Sequence, residues 1–243
     1  MKVWVGRFWE VKCRKSEESA YMWRFIMKSV QCVCFRKDIS KRYAFIRRIR
    51  GDGNCFYRAL GYGHLESLLG NQREMEKFKE VVIQSKAELL SAGFDEDLFS
   101  SLLSTFVSVI EQMEAEDQAS SLLSNFNNPI TSDIIVRYLR LLASSYLQNR
   151  AEFFQHFVEA PNLRDFCVQD VETMGLECDH VQILALSQAL GINIQIECME
   201  GADLNHHIIP DGSTPSLHLL YKTAHYDILY NGSVVESQGG VYR

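Results

Sequence analysis

The apolar residues of this chain change their period once, and that change limits the folds open to it. Between Asn54 and Leu190 they recur mostly at helical spacing; after Gly191 they alternate, as in Ile192-Asn193-Ile194-Gln195-Ile196. The spacing predicts helices over 54–69, 74–90, 95–116, 120–126, 131–148, 152–158, 163–171 and 180–190. Asn54 is expected at the N-cap of the first, and Ser132 or Asp133 near the cap of the fifth. Gly70-Asn71, Asn127-Asn128-Pro129 and Gly191 are expected stops. Strands are expected over 192–196, 217–221 and 225–230, and His206-His207 is expected in a polar loop before Pro210. Helices first and strands last predict an α+β fold.

Residues 1–35 differ from the rest. They hold all three tryptophans (Trp4, Trp9, Trp23) and three of the seven cysteines, and show no sustained period. The expected organisation is an atypical extension over 1–35, one domain over 36–231 and a flexible tail over 232–243. Charge is split in the same direction. Residues 1–50 carry 14 basic and 4 acidic side chains, and residues 51–243 carry 11 basic and 27 acidic. An acidic domain favours a basic partner. The basic start lacks an RNP, zinc-finger or basic-zipper pattern, so no nucleic acid is expected as partner. Nor is a membrane: Arg24 and Lys28 interrupt the short apolar stretch at 20–35, and Lys2, Arg7 and Glu10 spoil a signal peptide.

The cysteines at 13, 32, 34, 55, 167, 178 and 198 are odd in number, irregular in spacing and contain no CxxC pair. That argues against a disulfide framework and for reduced thiols in the cytosol or nucleus. Cys32-x-Cys34 and Cys178-x-His180 lack the second halves that a zinc site needs, so no metal is expected. His64 and His156, on helical patterns, are expected to be structural or exposed.

Two segments carry chemistry. In Asp52-Gly53-Asn54-Cys55-Phe56 a tight turn leads into a helix whose first turn holds Cys55. A thiolate there faces unsatisfied N–H groups and the positive end of the helix dipole, the setting that activates a cysteine. The turn can also aim backbone N–H groups at an oxyanion. In His225-Tyr226-Asp227, positions i and i+2 of a strand share a face, so the carboxylate can hold one imidazole nitrogen and leave the other for a thiol. Tyr226 and Ile228 would point the other way, into packing. Taken alone, the first segment also fits a capped helix with a buried cysteine, and the second a satisfied edge-strand histidine.

Together the segments resemble a known family. Arg50-Gly51-Asp52-Gly53-Asn54-Cys55-Phe56-Tyr57-Arg58-Ala59-Leu60 is similar to the cysteine box of the ovarian-tumour (OTU) deubiquitinases. His225-Tyr226-Asp227-Ile228-Leu229-Tyr230 resembles their terminal histidine box, and Glu177-Cys178-Asp179-His180-Val181-Gln182 the middle block of the otubain branch. Residues 61–70 and Asn205-His206-His207 resemble the shorter otubain paralogue. The resemblance runs from Lys41 to Tyr230, and residues 1–35 do not resemble the segment with which otubains help bind ubiquitin.

The resemblance implies a papain-like OTU fold in which a small, mainly antiparallel sheet carries the catalytic histidine. It implies a cysteine isopeptidase acting on ubiquitin and polyubiquitin chains, with ubiquitin-conjugating enzymes as further partners and no cofactor. Cys55 would be nucleophile, His225 base and Asp227 its orienter. Backbone N–H groups at Asp52 and Cys55 would receive the oxyanion, and Glu177 and Thr223 would contact the resting histidine. The alternatives are a catalytically idle module that binds ubiquitin or a ubiquitin-conjugating enzyme, and a cysteine hydrolase of another substrate class.

Overall fold

The computed structural model describes residues 9–12, 39–113, 118–199 and 205–231. The expected tail, Cys32-x-Cys34 and the extension other than residues 9–12 lie outside them. In chain order the elements are β1 (Trp9–Lys12), β2 (Tyr43–Arg48), α1 (Cys55–Leu68), α2 (Gln72–Gln84), α3 (Lys86–Ser91), α4 (Glu96–Gln112) and α5 (Gln118–Asn127). There follow α6 (Pro129–Asn149), α7 (Ala151–Phe154), a short 3₁₀ turn (Gln155–Phe157), α8 (Leu163–Phe166), a π turn (Cys167–Val171) and α9 (His180–Leu190). The last strands are β3 (Ile194–Cys198), β4 (Asn205–Ile209), β5 (Leu217–Tyr221) and β6 (Tyr226–Asn231). No helix among the described residues is long and apolar enough to cross a membrane.

The strands form one sheet in the order β1-β2-β6-β5-β3-β4. All neighbours are antiparallel except β3 and β5, which run parallel. The α+β class and the mainly antiparallel sheet are as expected. β1 and β2 are not: no strand is expected over 43–48, and residues 9–12, within the segment that showed no period, pair with β2.

α1 is the centre of the molecule, buried continuously from Cys55 to Glu66. It packs on β5 and β6 on one side and on α5 and α6 on the other, and its glycines make both approaches close. A Cβ at Gly63 would lie 2.5 Å from Leu217 Cδ1, and one at Gly61 3.3 Å from Phe126 Cζ. A helix enclosed this way has little freedom to tilt, so its N-terminus is a fixed point. A buried network stitches it to the sheet: Arg47 on β2 donates to Glu66 (3.0 Å) and to the Tyr230 hydroxyl (2.7 Å), and Tyr62 also donates to Glu66 (2.9 Å).

Several expected boundaries move for local reasons. The single helix expected over 74–90 divides at Ser85, whose hydroxyl bonds back to the Val82 carbonyl and meets the Tyr138 hydroxyl. Pro129, expected as a stop, is the first residue of α6, where its missing N–H costs nothing. The cap of α6 is therefore Asn128, which accepts from the N–H groups of Ile130 and Thr131; Ser132 and Asp133 lie inside the helix. His206 and His207, expected in a loop, lie on β4, the exposed edge strand paired with β3. His64 is buried against Phe78, with burial pushing its pKa down to about 4; His156 is exposed.

Candidate active site

The site forms where the start of α1 meets the β5–β6 hairpin. The turn before α1 needs glycine at 53 twice over. Its φ is +76°, and a Cβ there would lie 1.8 Å from the Gly175 carbonyl oxygen. The 51–54 turn thus rests directly on the backbone of a wall formed by residues 171–177.

Asn54 stands at the N-cap position as expected, but its side chain does not cap. Its Oδ1 instead accepts from the Gly175 N–H (2.9 Å) and from Arg140 (2.9 and 3.2 Å). The first turn of α1 therefore carries no side-chain cap, and its N–H groups are available to an anion. Cys55 is the first residue of that turn, and only 4% exposed.

Asp52 does not face the histidine. Arg58 grips its two oxygens at 2.9 and 3.1 Å, Arg50 donates at 2.6 Å, and the Asn54 N–H at 3.1 Å. Burial works to raise its pKa, but Arg58, Asn54 and Arg50 outweigh it and hold the carboxyl below its ordinary value. Both arginines also reach Asp133, and Arg58 donates to Ser132 (2.8 Å). The Asp52 side chain is thus an anchor tying the turn to α6, which leaves its backbone N–H for the expected oxyanion role.

On the other side, His225 Nε2 lies 3.0 Å from Asp227 Oδ1, and that oxygen also accepts from the Ile49 N–H (2.9 Å). Ile49 is one residue beyond β2, so the pairing of β2 with β6 aims the carboxylate. The remaining nitrogen, Nδ1, is left free of Asp227, and Cys55 is among the groups that act on the ring. A Cβ at Gly51 would lie 3.6 Å from Nδ1, an ordinary contact, so the turn passes directly beside the ring. The bond to Asp227 first, then the bond to Cys55, push the His225 pKa up to about 10. An imidazolium is thereby held beside the sulfur, the partner a thiolate requires.

The expected pairing of i and i+2 holds. Lys222 and His225 exchange backbone bonds (2.9 and 3.2 Å) across a two-residue loop, which extends the strand alternation to His225. Tyr226 and Ile228 are buried on the opposite face, as expected. The loop residues are Thr223 (φ 50°) and Ala224 (φ 60°), both left-handed in a turn that ordinarily selects Asn and Gly. Glu177 and Thr223, expected beside the resting ring, are exposed, and the ring bonds Asp227 and Cys55 instead.

Cys55, His225 and Asp227 are therefore brought together, with Asp52 one layer behind. Burial pushes the Cys167 thiol up to about 12 and the Cys178 thiol well above its ordinary value, which disfavours both as nucleophiles. No group of three His, Cys, Asp or Glu residues that could hold a metal occurs among the described residues. Sequence reasoning missed Arg140, Asp133, Ile49 and Gly175. Arg140 left a signal: it follows Val136 by four residues and precedes Ala143 by three, a charge on an otherwise apolar stripe.

Comparison with known proteins agrees with this geometry. A family model described as "Peptidase C65 Otubain" matches residues 14–231. "Ubiquitin thioesterase OTUB2" of Homo sapiens is 54% identical over 197 residues, covering 80% of this chain and 84% of that protein. "Ubiquitin thioesterase OTUB1" of Homo sapiens is 49% identical over 198 residues, covering 80% and 73%. The structure of h/ceOTUB1 with ubiquitin aldehyde and UBC13~Ub superposes with a TM-score of 0.82 at 27% identity, over 91% of this chain and 89% of that one. The chain belongs to the otubain family of cysteine peptidases.

Proposed function

We propose that this otubain hydrolyses the isopeptide bond between the C-terminal glycine of ubiquitin and a lysine of ubiquitin or of another protein. The observation that carries this is Cys55 at an uncapped helix N-terminus together with the hydrogen-bonded pair His225–Asp227, whose ring Cys55 influences. Cys55 Sγ attacks the glycine carbonyl carbon, and the oxyanion that forms is received by backbone N–H groups at Cys55 and Asp52. His225 gives its proton to the lysine nitrogen as the C–N bond breaks, leaving a thioester on Cys55. Water, deprotonated by His225, attacks the thioester and releases the ubiquitin carboxylate and the Cys55 thiolate, with the proton back on the imidazole.

The partners follow from the same reading. Ubiquitin and polyubiquitin suit the excess of acid over base in residues 51–243, since the ubiquitin tail is basic and extended. OTUB1 structures that hold ubiquitin aldehyde with UBC13~Ub or UBCH5B~Ub support ubiquitin-conjugating enzymes as further partners. The cysteine pattern supports a cytoplasmic setting that extends to the nucleus. The proposed organisation is a catalytic domain over 36–231, an extension over 1–35 whose residues 9–12 add a strand to the domain's sheet, and a tail over 232–243.

Diubiquitin hydrolysis tests the reaction. Wild-type protein should release monoubiquitin, and Cys55→Ala should release none. A folded wild type that binds diubiquitin of every linkage and cleaves none would favour the idle binding module.

A further inference from the structure

Three largely buried arginines serve the core around α1, and two of them have carboxylate partners. Arg47 is paired with Glu66, and Arg58 with Asp52 and Asp133. Arg140 on α6 is fully buried, yet its hydrogen bonds go to amide oxygens alone. Nε and one terminal nitrogen reach Asn54 Oδ1, and that same nitrogen reaches the carbonyls of Gly53 (3.2 Å) and Leu176 (2.6 Å). The other terminal nitrogen donates to the Val171 carbonyl (2.9 Å), and the guanidinium carbon lies 4.2 Å from the Tyr57 ring centroid. A buried cation whose hydrogen bonds all go to neutral oxygens is costly, and the ionisable groups that act to keep Arg140 charged include Asp52 and Cys55. The residue after Asn54 is Cys55.

We propose that Arg140 is a positioning residue for the nucleophile. Its planar fork clamps the Gly53-Asn54 turn to the 171–177 wall, and its charge, hydrogen-bonded to no carboxylate among the described residues, complements the anion that forms at Cys55 and then at the oxyanion. This rests on Cys55 being the nucleophile. One guanidinium spans four acceptors on two segments, which an ammonium cannot do. The clamp keeps the first N–H groups of α1 turned toward the reacting carbonyl. The other titratable groups on which Cys55 acts are His225 and Tyr226 from the hairpin and Cys178, which follows the wall. Asp227 bonds His225, Asp52 and Arg58 pair with each other in and after the turn, and Tyr57 on α1 stacks on Arg140. Arg140 and His225 are the basic groups on which Cys55 acts electrostatically.

Arg140→Met and Arg140→Lys separate clamp from charge. Both should lower kcat on diubiquitin by about 10²-fold, as a misplacement of about 1 Å does, with KM little changed. The pH profile of Cys55 alkylation by iodoacetamide should move to higher pH in Arg140→Met and less in Arg140→Lys. Wild-type kcat and an unmoved alkylation profile in a folded Arg140→Met would overturn the proposal, as would a loss confined to KM. If both variants melt below the assay temperature, Asn54→Ala, which removes the acceptor shared by Arg140 and Gly175, should show the same fall in kcat. Normal kcat there overturns the proposal equally. Failure of the wild type itself to alkylate at Cys55 would instead refute the nucleophile on which the proposal rests.

Discussion

The two halves of the site are built in opposite ways. The cysteine half is locked. α1 is enclosed on both sides, the turn before it touches the Gly175 backbone, and Arg50, Arg58 and Arg140 hold it with eleven hydrogen bonds. The histidine half hangs on a two-residue hairpin loop with two non-glycine residues in left-handed conformation, and its ring is held by one carboxylate. The difference teaches a division of labour. The oxyanion site must be preorganised before substrate arrives, because reorganisation during the reaction would add to the barrier. The base must exchange partners during the cycle, from thiol to amine to water, and a lightly held ring on a strained turn suits that.

Breaking the histidine half at its one anchor should have the largest effect. Asp227→Asn is expected to lower kcat by about 10²–10⁴-fold, the scale of general acid–base catalysis. It should also change the pH dependence of stability. The folded His225 pKa is raised to about 10 from an ordinary value near 6.5. The stability this contributes is fully present below about pH 6.5 and is lost as pH rises through about 10. In Asp227→Asn, where the chief cause of the rise is gone, that alkaline decline in melting temperature should shrink. An identical decline in both proteins would mean that Asp227 does not hold the imidazolium.

The cysteine half should fail through its backbone. Gly53→Ala places a Cβ against the Gly175 carbonyl at φ +76°, and the strained φ alone costs about 1–3 kcal/mol. A thermal melt should register the loss, and kcat should fall with it. A wild-type melting temperature would show that turn and wall are not in contact.

The smallest effect has the opposite sign. Ala224→Gly removes the Cβ penalty at φ 60° and should stabilise the fold by up to about 1 kcal/mol, some 2–4 °C in melting temperature for a chain of this size. A lower melting temperature would argue that the hairpin is unstrained.

The same contrast explains what could be read in the sequence. Both reactive blocks were legible because each is local: Cys55 opens a helix behind a glycine turn, and His225 and Asp227 are two residues apart on a strand. Their supports are distant in sequence. Arg140 reaches back to Asn54, Ile49 to Asp227 and Gly175 to Gly53, and no local period announces such pairs. β4 escaped because an edge strand with exposed His206 and His207 buries too little to alternate. Ser85 escaped because a bend within an amphipathic run leaves the apolar spacing intact.

The most direct test of Cys55 as nucleophile is the intact mass of the protein after exposure to ubiquitin bearing a thiol-reactive group at its C-terminus. One ubiquitin on wild type, none on Cys55→Ala and slower addition to His225→Ala are the expected results. No adduct on a folded wild type, or an adduct that survives Cys55→Ala, would contradict the assignment.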